Sequence, residues 1–279
     1  MINGKYIAID EQIAFETIAS EKNNPGKTIL LGIANRTQVS YNQYLNNFDS
    51  LVSKRKSDFS KKEKRERNLL NACYESDTGS FPIIRLMIFN NQPSVLKGLC
   101  PYCFLGWPGT MDHYIGQTEF PEYSILAKNL IPCCGDCNRI KGDIWRRRGV
   151  RRSIHFYQDT FINRRFLHAR IVHHKGQTAP KIHFYLSKNN AMSANQFKII
   201  KNHFKDLNLL AKYDERANAR ISSEIATLRD SFAAGRDKAL LVSELNNSYR
   251  NLSVDFGINY WEGILYETLA STRKIINSL

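Results

Sequence analysis

The distribution of apolar and polar residues indicates a mainly helical chain with one short β-rich stretch. Residues 1–94 have a mostly helical pattern and contain an apolar run, FPIIRLMIF, near their end. The runs RRFLHARIVHH and KIHFYLS, separated by KGQTAP, predict a β-hairpin. From Ser193 onward, apolar residues recur at the spacing of core-facing helices. These residues are Phe197, Ile200, Phe204 and Leu207, followed by Ile264, Leu265, Leu269 and Ile276.

Length and charge limit the class of protein. A chain of 279 residues can bury a core in one or two domains, and its net charge of +14 favours a polyanionic partner. No run approaches the roughly 20 apolar residues of a membrane span. The N-terminus MINGKYIAIDEQ lacks the pattern of a signal peptide. We therefore expect a soluble, cytoplasmic protein that does not bind membranes.

Two CxxC pairs follow the N-terminal helical region. One CxxC turn directs two thiolates at an ion about 2.3 Å away, and a second pair completes a tetrahedral zinc site. The alternatives are disulfides or buried free cysteines, but a reducing compartment favours the metal. Cys133 is less suitable than Cys134, because only Cys134 makes a CxxC pair with Cys137, and Cys73 is expected to be a small buried residue. The predicted structural zinc ligands are Cys100, Cys103, Cys134 and Cys137.

The linker between the CxxC pairs carries groups suited to phosphodiester hydrolysis. TMDHY predicts a short strand, in which Asp112 and His113 point to opposite faces. The oxygens of Asp112 and of the Asn138 amide are hard ligands suited to Mg²⁺. His113 is a base that is neutral near pH 7. An isolated Asp-His pair is usually a surface turn, but the cysteine pairs and Asn138 around it favour a catalytic site.

The stretch from Leu99 to Asp143 resembles the HNH, or ββα-metal, endonucleases, in particular those with a structural zinc. The resemblance is carried by LCPYC, TMDHYIGQTEFPEYS and NLIPCCGDCNRIKGD, within about a sixth of the chain. It implies that His113 is the general base and that Asp112 and Asn138 bind a catalytic Mg²⁺ or Mn²⁺. It also implies that Asn129 braces the loop that orients His113.

The resemblance completes the predicted architecture, which is an α+β fold. A small zinc-stapled ββα-metal module lies between mainly helical N- and C-terminal regions, with a β-hairpin after the module. Two short strands carry Asp112 and His113, and a helix that begins near Cys134 presents Asn138 and Lys141. The predicted zones are a helical region at 1–94, the nuclease module at 95–150, the hairpin extension at 151–190 and a helical region at 191–279.

Positive charge is concentrated in two clusters. The first runs from Lys54 to Arg67 and also contains acidic residues. Both a solvated helix face and a nucleic-acid contact are therefore possible interpretations of it. The second follows Asn138 directly, and only Asp143 opposes it. Its seven cations predict a surface that binds phosphates without reading sequence. They are Arg139, Lys141, Arg146, Arg147, Arg148, Arg151 and Arg152.

These features and the resemblance predict a metal-dependent endonuclease that hydrolyses DNA. RNA cleavage stays open because both polymers carry phosphates. A non-catalytic, zinc-stabilised protein that binds nucleic acid or assembles with a partner also stays open. With its small module and helical flanks, the chain resembles effector nucleases of bacterial anti-phage defence and restriction. That likeness implies a controlling protein, such as an ATPase or a sensor subunit, that docks on the helical flanks.

Overall fold

The computed structural model describes residues 1–173 and 180–278. The chain divides into two compact units, here called the N-terminal unit (Gly4–Gln158) and the C-terminal unit (Met1–Asn3 with Asp159–Leu279). Both helices and small antiparallel strand pairs are present, which confirms an α+β fold at this level. The finer division into four zones stays a prediction.

The N-terminal unit begins with helices and ends with short strands around one further helix. Asp10 caps the first helix by accepting hydrogen bonds from the backbone N–H groups of Gln12 and Ile13. The helices are α1 (Glu11–Ser20), α2 (Gly26–Gly32), α3 (Ala34–Asn46), α4 (Lys64–Tyr74), α5 (Ser80–Asn90), α6 (Ser94–Gly98) and α7 (Gly135–Lys141). The strands are β1 (Thr110–His113), β2 (Leu130–Cys133), β3 (Arg146–Arg147) and β4 (Val150–Arg151).

Strands β1 and β2 pair antiparallel, and α7 follows β2 directly. The register places Asp112 opposite Ile131 and His113 opposite Leu130. The segment between the strands contains two 3₁₀ turns, Pro121–Tyr123 and Ala127–Asn129. The predicted order of strand, strand and helix is therefore observed.

An aromatic cluster forms the core beside this strand pair. The ring of His155 lies 4.8 Å from that of Phe48 and 4.5 Å from that of Tyr114, measured between centroids. Tyr44 and Tyr123 extend the cluster with centroids 5.1 Å apart. Burial lowers the pKa of His155 well below its ordinary value, so this imidazole is a neutral core residue.

The C-terminal unit contains a β-hairpin and a set of helices. Strands β5 (Leu167–Val172) and β6 (Lys181–Leu186) pair antiparallel, which confirms the predicted hairpin. Most of the predicted connecting segment KGQTAP lies outside the described residues. The helices are α8 (Ala194–Asp206), α9 (Leu209–Ala233), α10 (Lys238–Phe256), α11 (Trp261–Ser271) and α12 (Arg273–Asn277).

Helix α9 covers the edge of β6 through two side chains. Asn218 accepts from the Ile182 N–H at 2.9 Å and donates to the Ile182 carbonyl at 3.0 Å, and Asp214 accepts from the Phe184 N–H at 2.7 Å. Three backbone groups of this strand edge are thus satisfied. Most of the predicted apolar stripe is buried, as Ile200, Phe204, Leu207, Ile264, Leu265 and Leu269 show, whereas Phe197 and Ile276 are partly exposed. None of the helices in the described ranges has both the length and the apolar character needed to cross a bilayer.

Glu11 links the first helix to the turn that precedes β2. Its carboxylate accepts from the Tyr6 O–H at 3.0 Å and from the Ala127 N–H at 3.3 Å. Only 5% of the residue is exposed. Burial raises the pKa of Glu11 from 4.5 to about 7, because desolvation disfavours the charged form.

We predict that Glu11→Gln stabilises the fold at high pH. Since the native pKa is raised, the native state retains a proton that the unfolded chain releases, and stability falls as pH rises from about 4.5 to about 7. Glutamine mimics the protonated carboxyl group and avoids this loss. The variant should therefore melt at a higher temperature than the parent at pH 8, and the difference should shrink at pH 5. Glu75→Gln, at an exposed position, is the control; equal shifts at both pH values would contradict the assignment.

Candidate functional site

Four cysteines converge beside the strand pair. The sulfur atoms of Cys100, Cys103, Cys134 and Cys137 lie within 4.8 Å of one another, and all four residues are buried. The sulfurs of Cys103 and Cys134 are 3.8 Å apart, close to the edge of a tetrahedron whose corners lie about 2.3 Å from a zinc ion. The cluster can therefore hold a structural metal such as zinc, as the CxxC spacing predicts.

The backbone shapes this cluster from both sides. The Cys100 N–H donates to the Gly106 carbonyl and the Phe104 N–H donates to the Cys100 carbonyl, each at 2.7 Å. A side chain at Gly106 would place its Cβ 2.9 Å from that of Cys134, so the turn requires glycine there. On the other side, Cys134 caps α7, and its sulfur accepts from the Cys137 N–H at 3.5 Å. Local backbone geometry therefore brings the two pairs together.

The other two cysteines lie outside the cluster. Cys133 is buried in β2, and its sulfur lies 3.6 Å from the hydroxyl of Thr110. Cys73 is buried in α4, and burial raises its pKa to about 11, so its thiol is protonated at neutral pH. The predictions that Cys134 rather than Cys133 joins the cluster and that Cys73 is buried are confirmed.

Asp112 forms a buried ion pair with Lys141. The residue is 1% exposed, and one carboxylate oxygen accepts from the Tyr102 O–H at 2.6 Å. The Lys141 ammonium lies 3.1 and 3.0 Å from the two carboxylate oxygens, and it also donates to the backbone carbonyl of His113 at 2.8 Å. The pair therefore joins the end of α7 to β1.

The predicted catalytic ion does not fit this carboxylate as it is arranged. An ion at Asp112 would have to displace the Lys141 ammonium, because a phenol and an ammonium already surround the carboxylate. The half-buried Asn138 lies beside β1, and its amide nitrogen is 3.3 Å from the Thr110 hydroxyl and 3.4 Å from the Met111 carbonyl. The Mg²⁺ or Mn²⁺ site at Asp112 and Asn138 stays a prediction.

His113 occupies the opposite face of β1 and is held by a backbone carbonyl. Its Nε2 lies 2.8 Å from the carbonyl oxygen of Ser124. Because a carbonyl can only accept, Nε2 carries the proton and Nδ1 is left as the acceptor. Burial lowers the pKa of His113 below its ordinary value, which favours the neutral ring. The Tyr74 ring contacts the imidazole at a centroid distance of 4.2 Å. Nδ1 is therefore the ring nitrogen that can accept a proton.

Asn129 fixes the loop that supplies this carbonyl. The residue is fully buried. Its side-chain oxygen accepts from the Ile115 N–H at 2.8 Å and from the Tyr44 O–H at 3.1 Å. Its amide nitrogen donates to the carbonyls of Ile115 and Tyr123, each at 3.0 Å. Since Tyr123 precedes Ser124, the predicted bracing role of Asn129 has a direct geometric basis, although its contribution to catalysis stays a prediction.

A cleft of about 360 Å³ opens against β1 and α7, and His113 is not among the described residues that line it. Its walls include Tyr74 from α4, Arg85 from α5, Met111 from β1 and Asn138 from α7. Met111 and His113 project from the same face of β1. Tyr74 connects the two, because its O–H donates to the Met111 carbonyl at 3.1 Å while its ring contacts His113. The cleft therefore brings an arginine and an amide together, and Tyr74 links its wall to the imidazole.

The seven predicted phosphate-binding cations divide into two groups. Lys141 is buried in its ion pair, and Arg151 is buried with its guanidinium 5.3 Å from the Phe48 ring centroid. Protein groups already surround these two charges, so they are not available to a phosphate in this arrangement. The others reach solvent in different degrees: Arg146 and Arg152 are half-buried, and Arg139, Arg147 and Arg148 are exposed.

Several residues around β1 have no signature in the sequence. Tyr74 and Arg85 come from helices that precede the cysteine pairs, and Ser124 contributes only a backbone carbonyl. Tyr102 lies inside the first CxxC pair, where its spacing from Asp112 does not reveal the 2.6 Å contact. Tertiary packing brings these groups together, so local patterns could not identify them.

We predict that Lys141→Met strongly destabilises the N-terminal unit. The substitution leaves the Asp112 carboxylate buried without its counter-charge, which typically costs about 3–5 kcal/mol. The double variant Asp112→Asn/Lys141→Met removes both charges and should recover part of the loss. Denaturant unfolding of the zinc-loaded protein measures these differences, with the exposed Lys62→Met as control. An unchanged midpoint for Lys141→Met would contradict the importance of the pair.

We predict that Cys134→Ala abolishes metal binding and unfolds the module, because a structural zinc contributes on the order of 10 kcal/mol to folding. The neighbouring Cys133→Ala is the matched control and should keep one zinc ion per chain. Metal content by elemental analysis and folding by circular dichroism check both variants. Zinc retained by the Cys134 variant, or lost by the Cys133 variant, would show that the ligand set is different.

The chain is similar to Protein ea31 of Escherichia phage lambda. The two sequences are 28% identical over 194 residues, which cover 64% of this chain and 64% of that protein. The match thus spans less than two thirds of the relative's length. No protein-family model and no solved structure matches the chain.

Proposed function

We propose that the chain is a nuclease of the HNH, or ββα-metal, kind and that it hydrolyses phosphodiester bonds in DNA. The observation that carries the proposal is the arrangement of His113, whose Nε2 is bound to the Ser124 carbonyl so that Nδ1 is left as the acceptor. The cysteine cluster next to the strand–strand–helix arrangement supports it, as does the sequence resemblance.

In the proposed reaction, Nδ1 of His113 takes a proton from a water molecule that attacks the phosphorus atom. The bond between phosphorus and the 3′-oxygen breaks, and the leaving oxygen takes a proton from solvent water, which leaves 5′-phosphate and 3′-hydroxyl ends by analogy with the family. The Ser124 carbonyl then accepts a hydrogen bond from the protonated ring and stabilises its positive charge. Arg85 lies in the cleft wall, where its guanidinium donates to the Ser76 carbonyl at 3.1 Å and lies 3.4 Å from the exposed Asp77, and its remaining N–H groups can bind phosphate oxygens.

Asn129 acts through His113 in this proposal. Three of its side-chain hydrogen bonds bind Ile115 and Tyr123 in the loop that carries Ser124, and the fourth binds Tyr44, so they fix the direction of the Nδ1 lone pair. Small displacements of a catalytic base are costly, because proton transfer requires hydrogen-bond distance in the reacting complex. Asn129 is therefore a positioning residue.

The wider role is proposed on resemblance alone. An effector nuclease in bacterial anti-phage defence or restriction needs control, and a partner such as an ATPase or sensor subunit would dock on the helical flanks. The exposed arginines Arg139, Arg147 and Arg148 favour a polyanionic substrate in either setting.

We predict that His113→Ala reduces cleavage of supercoiled plasmid by about 10²–10⁴-fold, the usual contribution of a general base. Zinc content and duplex binding should stay unchanged, because the substitution touches neither the cysteines nor the exposed arginines. His173→Ala, at an exposed position, is the matched control and should cut like the parent protein. Nicked and linear products on agarose gels provide the measurement.

The same assay separates the alternatives. Dialysed, zinc-loaded protein is compared with and without added Mg²⁺ or Mn²⁺, since a chelator would also remove the structural zinc. Cleavage that survives in the His113 variant would overturn the proposed base. Cleavage of labelled RNA but not of plasmid would move the substrate to RNA, and binding without cleavage of either polymer would favour the non-catalytic alternative.

A further inference from the structure

A tight turn presents an arginine between β3 and β4. The two strands pair through Arg146 with Arg151 and Arg147 with Val150, which leaves Arg148 and Gly149 as the turn. Both turn residues have positive φ values, 50° for Arg148 and 71° for Gly149. A two-residue turn of this kind prefers asparagine and then glycine, because few other residues adopt positive φ without strain. Arg148 is therefore held at the tip at a cost in backbone energy, which points to a role for its exposed guanidinium.

The turn forms one wall of a second cleft, of about 490 Å³, here called the arginine cleft. Its four guanidinium groups come from Arg55 and from Arg146, Arg147 and Arg148. The fold thus joins the first basic cluster of the sequence to the second. Among the described residues that line the cleft, none is acidic.

The walls of the arginine cleft are fixed by Arg146. Its guanidinium donates to the carbonyls of Leu51 and Val52 at 3.0 and 2.9 Å, and it pairs with Glu119 at 2.8 Å. It also lies 4.8 Å from the Trp145 ring centroid. These contacts bind the hairpin to the segment that carries Arg55. Arg55, Arg147 and Arg148 are exposed and face solvent from this fixed frame.

We propose that the arginine cleft binds the phosphate backbone of the nucleic acid, as an anchor separate from His113. The proposal rests on the proposed function, because it names the grip on the same substrate. Arginine binds phosphate oxygens through two parallel hydrogen bonds. Among its described lining residues the cleft has no aromatic ring to stack on a base and no carboxylate to bind a ribose. Backbone phosphates, rather than a free nucleotide, are therefore the ligand that fits.

The variant Arg148→Asn tests phosphate binding without disturbing the fold. Asparagine suits a positive φ better than arginine, so the melting temperature should stay equal or rise. The charge is lost, so the variant should bind a 30-base-pair duplex about fivefold more weakly at 150 mM salt. The slope of log affinity against log salt concentration should become shallower by about 0.9. Adding Arg55→Gln should bring the loss to about 25-fold and the change in slope to about 1.8.

Binding is measured by fluorescence anisotropy in the His113→Ala background, so that the duplex is not cut. Arg229→Gln, at an exposed position on α9, is the charge-matched control and should leave both affinity and slope unchanged. Two duplexes of different sequence should lose affinity equally, because phosphate contacts do not read bases. A second arm titrates ATP and inorganic tripolyphosphate against the parent and the double variant.

The outcomes distinguish the two proposals. An unchanged salt slope in the double variant, or no duplex binding at all, overturns the arginine cleft as an anchor. Loss of ATP binding with intact duplex binding overturns it in favour of a nucleotide site. Weaker duplex binding together with cleavage that persists in the His113→Ala protein supports the anchor and refutes the assigned base. If the double variant keeps the salt slope of the parent and His113→Ala abolishes cleavage, the arginine cleft is refuted as an anchor and the assigned base is supported.

Discussion

The loop that orients His113 is braced by a buried amide, the side chain of Asn129. That amide satisfies both backbone groups of Ile115 and also binds the carbonyl of Tyr123, so the two ends of the loop between β1 and β2 are held together. The Ser124 carbonyl follows directly and sets the imidazole. A buried amide with four partners is costly to replace, because any partner left unpaired in the interior loses its hydrogen bond without gaining water.

On the face of β1 opposite His113, an ion pair between Asp112 and Lys141 holds the strand to α7. Lys141 reaches from the end of α7 to Asp112 and to the carbonyl of His113, so one ammonium group links the helix to both residues. Buried pairs add little net stability, since desolvation offsets their attraction. They do penalise arrangements in which the charges separate. The pair therefore fixes the position of the C-terminal end of α7 against β1. The cysteine cluster fixes the position of the N-terminal end of the same helix.

The sequence predicted the parts of this site that local spacing defines. The two CxxC pairs, the strand that carries Asp112 and His113, and the helix after Cys134 each depend on residues close together in the chain. The contacts around them could not be predicted in the same way. Tertiary packing brings Tyr44, Tyr74 and Arg85 to the site from α3, α4 and α5. The contribution of Ser124 is a backbone carbonyl, which every residue has, so its residue type does not reveal the contact.

The number of basic residues in a stretch of sequence overestimates how many of them can bind a phosphate. In the run after Asn138, Lys141 and Arg151 are buried, and Arg146 binds backbone carbonyls and Glu119. These cations hold the module together, so they release few counterions when a polyanion binds. Arg55, far away in the sequence, instead joins the exposed Arg147 and Arg148. On the proposed phosphate anchor, the strained turn at Arg148 has a physical reason, because a rigid turn fixes the backbone that carries the guanidinium and so reduces the conformational entropy lost on binding a phosphate.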